Sequence, residues 1–175
     1  MKMSDWVARA VELGADAAQI IRPDQVVVAD WVRLKCQYGC GGYGMCLTCP
    51  PYSPPPEVTR QVLRHYRQAL LLRVEGMGWE QEDQQCRRLQ EAVAALEREL
   101  FLAGYHRAWG MGAGPCVFCE TCSLAGPCRF PCQARPSMEA CGIDVYTTVR
   151  QAGWEIEVVQ TPEAPFRLFA LVLME

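Results

Sequence analysis

Eight cysteines stand in two runs whose spacing could grip a metal. Cys36, Cys40, Cys46 and Cys49 form C-x3-C-x5-C-x2-C followed by Pro50, and Cys116, Cys119, Cys122 and Cys128 form C-x2-C-x2-C-x5-C, with Cys132 just behind. A thiolate triplet at successive two-residue gaps lets the backbone wrap an inorganic core and present three sulfurs to it, as the ferredoxin run C-x2-C-x2-C-x3-C-P does. Cys116, Cys119 and Cys122 have that spacing. Zinc could use the same four thiolates at tetrahedral geometry, but structural zinc sites usually arise from two separated pairs, and here three ligands follow one another closely. The second run therefore predicts a [4Fe–4S]-type cluster, with zinc as the alternative.

The first run matches no ferredoxin spacing, although Cys49-Pro50 repeats the ferredoxin ending. Four cysteines in fourteen residues are still hard to explain as packing. Gly39, Gly41, Gly42 and Gly44 would let backbone N–H groups approach sulfur and tune a cluster; equally, the loop could simply need unusual torsions. By the precedent of two-cluster ferredoxins, a ligand could cross from one run to the other.

Other polar residues have plainer readings. Cys86 falls on the apolar stripe of a helix and reads as a small buried hydrophobe. Cys141 is either a reserve fourth ligand for the first site or a buried thiol beside a glycine. His65 and His106, the two histidines, lack ligand spacing. Glu139 and Asp144 share one segment, where Asp144 suits a helix cap better than an acid catalyst. Arg60, Arg64 and Arg67 recur on one helical face, either solvated or offered to an acidic redox partner. Gly110-x-Gly112-x-Gly114 has its third glycine misplaced for a nucleotide loop and is followed by Pro-Cys instead of a helix, and no G-x-S-x-G, P-loop or Cys/His nucleophile pattern occurs.

The elements that must position these residues alternate. Residues 4–20 predict a helix with a stop at Gly14. Gln25 to Leu34 is rich in β-branched residues and predicts a strand. Ser53 could cap a helix that uses Pro54–Pro56 in its first turn and buries Val58, Val62 and Tyr66. Residues 69–75 predict a second strand, and 80–103 a long helix with Cys86, Leu89, Val93, Leu96 and Leu100 on one face. A third strand is expected at 105–111, a helical turn after Ser137, and a helix at 145–152 capped by Asp144. Trp154–Gln160 and Phe166–Met174 predict a C-terminal β-hairpin. The expected fold is α/β: a single layered domain with a sheet of about five strands, flanking helices, and two long cysteine-rich metal loops at about 36–53 and 112–136. Loops that long need something other than regular structure to order them. Each is expected at the C-terminal edge of a parallel-type strand, which would make the two sites neighbours.

The 175-residue chain is 50% hydrophobic and 21% charged, with a net charge of −3. This excludes intrinsic disorder and argues against nucleic-acid binding through bulk positive charge. An odd count of eleven cysteines cannot pair fully within one molecule. The opening residues 1–6 do not resemble a signal peptide, and no run approaches the ~18 apolar residues of a membrane span. A cytoplasmic, thiol-bearing protein is expected.

These residues also carry a resemblance. Cys36-x3-Cys40, then Cys49-Pro50-Pro51-Tyr52, then C-x2-C-x2-C-x5-C, then the segment from Arg135 to Tyr146 resembles a family of short cysteine-rich prokaryotic predicted metal-binding proteins along nearly the whole chain. The resemblance implies a metal or iron–sulfur centre, with Cys36, Cys40, Cys49, Cys116, Cys119, Cys122 and Cys128 as ligands and with Cys46 and Cys132 as departures. A three-cysteine first site would leave one iron open. The expected function is a cytosolic iron–sulfur protein with two [4Fe–4S]-type centres, serving electron transfer or an anaerobic partner enzyme. The alternatives are a zinc-ordered interaction module and a cluster enzyme with an open iron.

Overall fold

The computed structural model describes residues 3–175, so residues 1 and 2 of the opening stretch lie outside it. In chain order the elements are α1 (Met3–Glu12), β1 (Ala17–Ile21), α2 (Asp30–Gly39), α3 (Pro56–Leu63), β2 (Gln68–Met77), α4 (Glu82–Leu102), β3 (Trp109–Met111), α5 (Val145–Gln151) and β4 (Pro165–Met174). Short 3₁₀ turns stand at Pro23–Gln25, Trp79–Gln81 and Glu139–Cys141.

The four strands form one sheet in the order β1-β2-β4-β3, and every neighbouring pair is antiparallel. β2 and β3 both run against β4, so they are parallel to each other, with α4 as the crossover and β4 inserted between them. Alternation along the strands divides the interior. Leu70, Leu72, Val74, Ala170 and Val172 face α1 and α4, packing on Trp6, Ala10, Leu89, Val93, Leu96 and Leu100. Ala69, Leu71, Phe169, Leu171 and Leu173 face the other way, onto Met138, Cys141, Ile143, Val145 and Val149. β2 and β4 therefore read as continuous apolar runs because both faces of the sheet are covered.

The expected α/β layering is present, but the sheet has four strands, not about five, and is antiparallel where a parallel type was expected. The segment read as a strand at 25–34 becomes a 3₁₀ turn, an isolated bridge between Val28 and Ile143, and the start of α2. The missed first strand, β1, lies within the stretch read as helix. α1 ends at Glu12, Gly14 takes a left-handed φ of 124°, and the chain then pairs with β2. The C-terminal hairpin is also corrected: residues 154–160 form no strand, and β4 pairs instead with β2 along its whole length and with β3 over Leu171–Leu173. In α3 the buried residues are Pro56, Thr59 and Leu63, one position on from the expected stripe, and Val58 is exposed. The α4 stripe and the Asp144 cap on Thr147 stand as expected.

Among the described residues, no helix is long and apolar enough to cross a membrane.

Candidate metal centre

The first cysteine segment begins on a helix. Cys36 lies in α2 and Cys40 caps its C-terminus. Their C-x3-C spacing is i, i+4, which places both on one helical face. The chain then turns through Gly41 to Ser53 with short backbone bonds, Gly44 N–H donating to Pro50 O at 2.7 Å and Cys49 N–H to Cys46 O at 3.0 Å. The end of this loop is pinned to the 3₁₀ turn at 139–141. Ser53 Oγ donates to Ala140 O at 2.6 Å, and Thr59 Oγ1 donates to Cys141 O at 2.7 Å. Arg33, on the same helix, donates to Pro54 O at 2.6 Å and Ala140 O at 3.1 Å.

The turn depends on Gly142. Its φ is +81°, and a Cβ there would stand 2.7 Å from Pro56 Cγ. A side chain would therefore meet both torsional strain and the start of α3.

The second segment leaves β3 and runs to Pro136 without regular structure. Its start is held by α4: Gln90 Nε2 donates to Ala113 O, Pro115 O and Cys86 Sγ at 3.0, 2.9 and 3.2 Å, and the Cys86 thiol donates to Ala113 O at 3.0 Å. Its middle carries a small aromatic pair, Phe118 and Phe130, with ring centroids 5.8 Å apart and Arg87 over Phe118. Its end is tied by a two-pronged ion pair, Arg135 Nε to Glu97 Oε2 at 2.8 Å and Arg135 Nη2 to Glu97 Oε1 at 2.7 Å. Glu97 Oε2 also accepts from Gly110 N–H at 2.7 Å, so one carboxylate fixes β3 and the far end of the loop together.

The sulfurs sort into two groups. Cys36, Cys40 and Cys49 line a cavity of about 520 Å³ walled by Trp31, Tyr43, Val145 and Tyr146. Cys46, Cys116, Cys119, Cys122 and Cys128 line a second cavity of about 370 Å³. Cys46, from the first loop, thus stands with the cysteines of the second. The loops interlock at this point: Leu47 N–H donates to Cys122 Sγ at 3.3 Å, and the Cys116 N–H bonds the Cys46 sulfur. Cys46 and Cys49 also share a hydrogen bond, so the groups adjoin.

The eight cysteines singled out by spacing are all brought to these two cavities; Cys132 is exposed and lines neither, and Cys141 and Cys86 are buried outside them. None of the eleven cysteines is in a disulfide. Among the described residues, no three His, Cys, Asp or Glu donors converge on a point that would hold a single ion. The sulfurs instead surround space.

The local chemistry fits thiolate ligation of an inorganic group. Cys40 Sγ and Cys49 Sγ lie 3.5 and 3.6 Å from where a Cβ at Gly42 would stand, so glycine there keeps the room between them open. Backbone N–H groups of Gly42 and Phe130 donate to Cys40 Sγ and Cys128 Sγ, each at 3.4 Å. Burial, and then neighbouring thiols, raise the pKa values of Cys46 and Cys49, the latter to about 12. Burial and then Cys40 likewise raise Cys36, which the nearby Arg33 guanidinium partly offsets. Thiols held neutral in this way are poor nucleophiles but shed protons to a cation that binds them.

Spacing had not pointed to Arg33, Gln90, or the Glu97–Arg135 pair. Arg33 precedes Cys36 by three positions, which is meaningful on a helix and invisible once the segment is read as a strand.

No curated protein and no solved structure matched the chain. One family model did, described as predicted metal-binding protein (DUF2284), and it spans residues 19–174. That span takes in both interlocked loops and every sulfur around the two cavities, and the chain accordingly belongs to this family of predicted metal-binding proteins.

Proposed function

We propose that this protein holds two iron–sulfur centres of the [4Fe–4S] type and passes single electrons to a partner. The observation that carries the reading is the sorting of eight cysteine sulfurs, from two loops, around two adjoining cavities. Open clefts of several hundred Å³ with sulfurs spread around their walls suit a polynuclear core better than one tetrahedral ion, whose ligands must meet at a single point. Cys36, Cys40 and Cys49 are the ligands of the first centre. Cys116, Cys119, Cys122 and Cys128 are those of the second, with Cys46 in reach of both through its contacts with Cys49 and Cys116.

The bound clusters would supply the redox chemistry. The chain supplies the rest. Backbone N–H groups of Gly42, Leu47 and Phe130 point at sulfur and favour the more negative, reduced state. Arg33 places a cation near Cys36, where thiolate charge accumulates. Shared contacts between the loops keep the two centres close enough for electrons to move between them.

The partner is an acidic redox protein. Arg64 and Arg67 are exposed and line a groove with Arg22 and Arg60, which are paired to Asp24 and Asp30 at 3.0 and 2.8 Å. Association through such a face weakens as salt rises. The cytoplasm, where thiols stay reduced, is the compartment this chemistry suits.

Iron, sulfide and zinc analysis of protein purified without oxygen, together with its visible and EPR spectra, tests the proposal. Iron and sulfide in similar amounts with a brown colour are expected. A colourless protein carrying zinc alone would overturn it in favour of zinc-ordered loops.

A further inference from the structure

The first cavity is short of a donor. Four cysteines belong to the first loop segment, but Cys46 lines the other cavity, which leaves Cys36, Cys40 and Cys49. Cys141 does not line the cavity and is fully enclosed in the apolar layer under the sheet.

Glu139 does line it, and also lines a separate cavity of about 250 Å³ beside Ala113 and Glu82. It sits on the 3₁₀ turn at 139–141, and its backbone carbonyl lies 3.9 Å from Cys36 Sγ. Its carboxyl is oriented by two bonds, from the Ser137 hydroxyl and from its own N–H. Ser137 is itself buried and accepts from Ala140 N–H at 3.1 Å, so the orienting group is fixed. The remaining oxygen, Oε2, is sealed from solvent and has no hydrogen-bond partner. A buried acceptor with nothing to accept from is costly and rare in native proteins. A metal ion at the edge of the cavity would satisfy it, since carboxylate oxygen is an accepted ligand of iron and zinc.

We propose that the Glu139 carboxylate is the fourth donor of the metal centre held by Cys36, Cys40 and Cys49. The proposal rests on the two-centre reading above and deepens it: the two centres differ in kind, one held by thiolates throughout, the other carrying one oxygen ligand. An oxygen-ligated corner binds more weakly than a thiolate-ligated one.

The test compares wild type with Glu139→Gln, Glu139→Cys and Cys36→Ser, each loaded anaerobically with ferrous iron and sulfide. Metal content and EPR are the readouts. Glu139→Gln is expected to lose one iron per chain and to change the spectrum of one centre, the same centre that Cys36→Ser disturbs. Glu139→Cys should restore the iron and shift that spectrum toward all-thiolate ligation. Unchanged iron and unchanged spectra in Glu139→Gln would overturn the assignment, as would changes confined to the centre that Cys36→Ser leaves alone. Should Glu139→Gln fail to fold, the spectrum of Glu139→Cys decides alone, and identity with wild type counts against. The reading of function is judged separately, on wild type: zinc alone there would end the iron–sulfur proposal, and Glu139 would then be judged by whether Glu139→Gln loses one zinc per chain.

Discussion

Leu47 N–H donates to Cys122 Sγ across 3.3 Å, joining residues 75 positions apart in the two cysteine loops. Together with Cys46 among the second group of sulfurs, it makes the loops one structure. Cys46→Ser should therefore disturb the same spectroscopic centre as Cys116→Ser and Cys122→Ser. Iron content and EPR of the three variants check this. A Cys46→Ser spectrum matching Cys36→Ser instead would place Cys46 with the first centre.

Gly42 leaves the space between Cys40 and Cys49 free. Gly42→Val should fold, because its Cβ would meet only side-chain atoms at 3.5 Å or more, yet lower the metal retained at the first centre. Circular dichroism and metal analysis on the same sample distinguish this from general unfolding.

The Glu97 and Arg135 side chains are only 15% and 18% exposed. Glu97→Ala would leave a half-buried guanidinium and the Gly110 N–H without their acceptor, a loss of about 3 kcal/mol. Urea unfolding should show it as a lower midpoint. Glu97→Gln, which keeps an acceptor oxygen, should lose less.

Gly142 and Gly153 have nearly the same left-handed torsion, φ +81° and +82°, but differ in surroundings. Gly153→Ala meets nothing within 4 Å and should cost only the backbone penalty, about 1 kcal/mol. Gly142→Ala adds a collision with Pro56 and should cost about 2 kcal/mol or more. Thermal melts of the two variants side by side measure the difference.

Burial pushes the Cys86 and Cys141 thiols up to about 12 from an ordinary value of 9.0. Between those values the unfolded chain has lost these protons and the folded chain keeps them. The folded state thus binds more protons, and stability of the metal-free, reduced protein should fall as pH rises from about 9 towards 12. Cys86→Ala should flatten the alkaline slope in denaturation curves taken across that window.

Much of this was legible in the sequence. The eight clustered cysteines, the two long loops, α4 with its apolar stripe, and the Asp144 cap follow from local spacing, which local structure obeys. β1 was not legible: Ala17 and Ala18 have weak strand preference, and only pairing with β2 makes them extended. Residues 25–34 misled for the opposite reason. Val26 to Val28 has strand character, but α2 takes over at Asp30, driven by tertiary contacts of Val32 and Arg33 that no short window contains. The absence of a hairpin was equally remote, since it depends on which strands flank β4. Spacing also treated Cys46 as a member of its own run, although a crossing ligand had precedent.

β4, the latest in chain order of the four described strands, lies inside the sheet. β2 and β3 do not pair with each other; each pairs only with β4 on that side, which lies between them, and β3 is the strand from which the second cysteine loop departs. A growing chain on the ribosome must be extended through Met174 before that loop has its final anchorage. Before that point the second loop has its ties to α4 through Gln90 and Glu97, but the strand it leaves has no sheet to join.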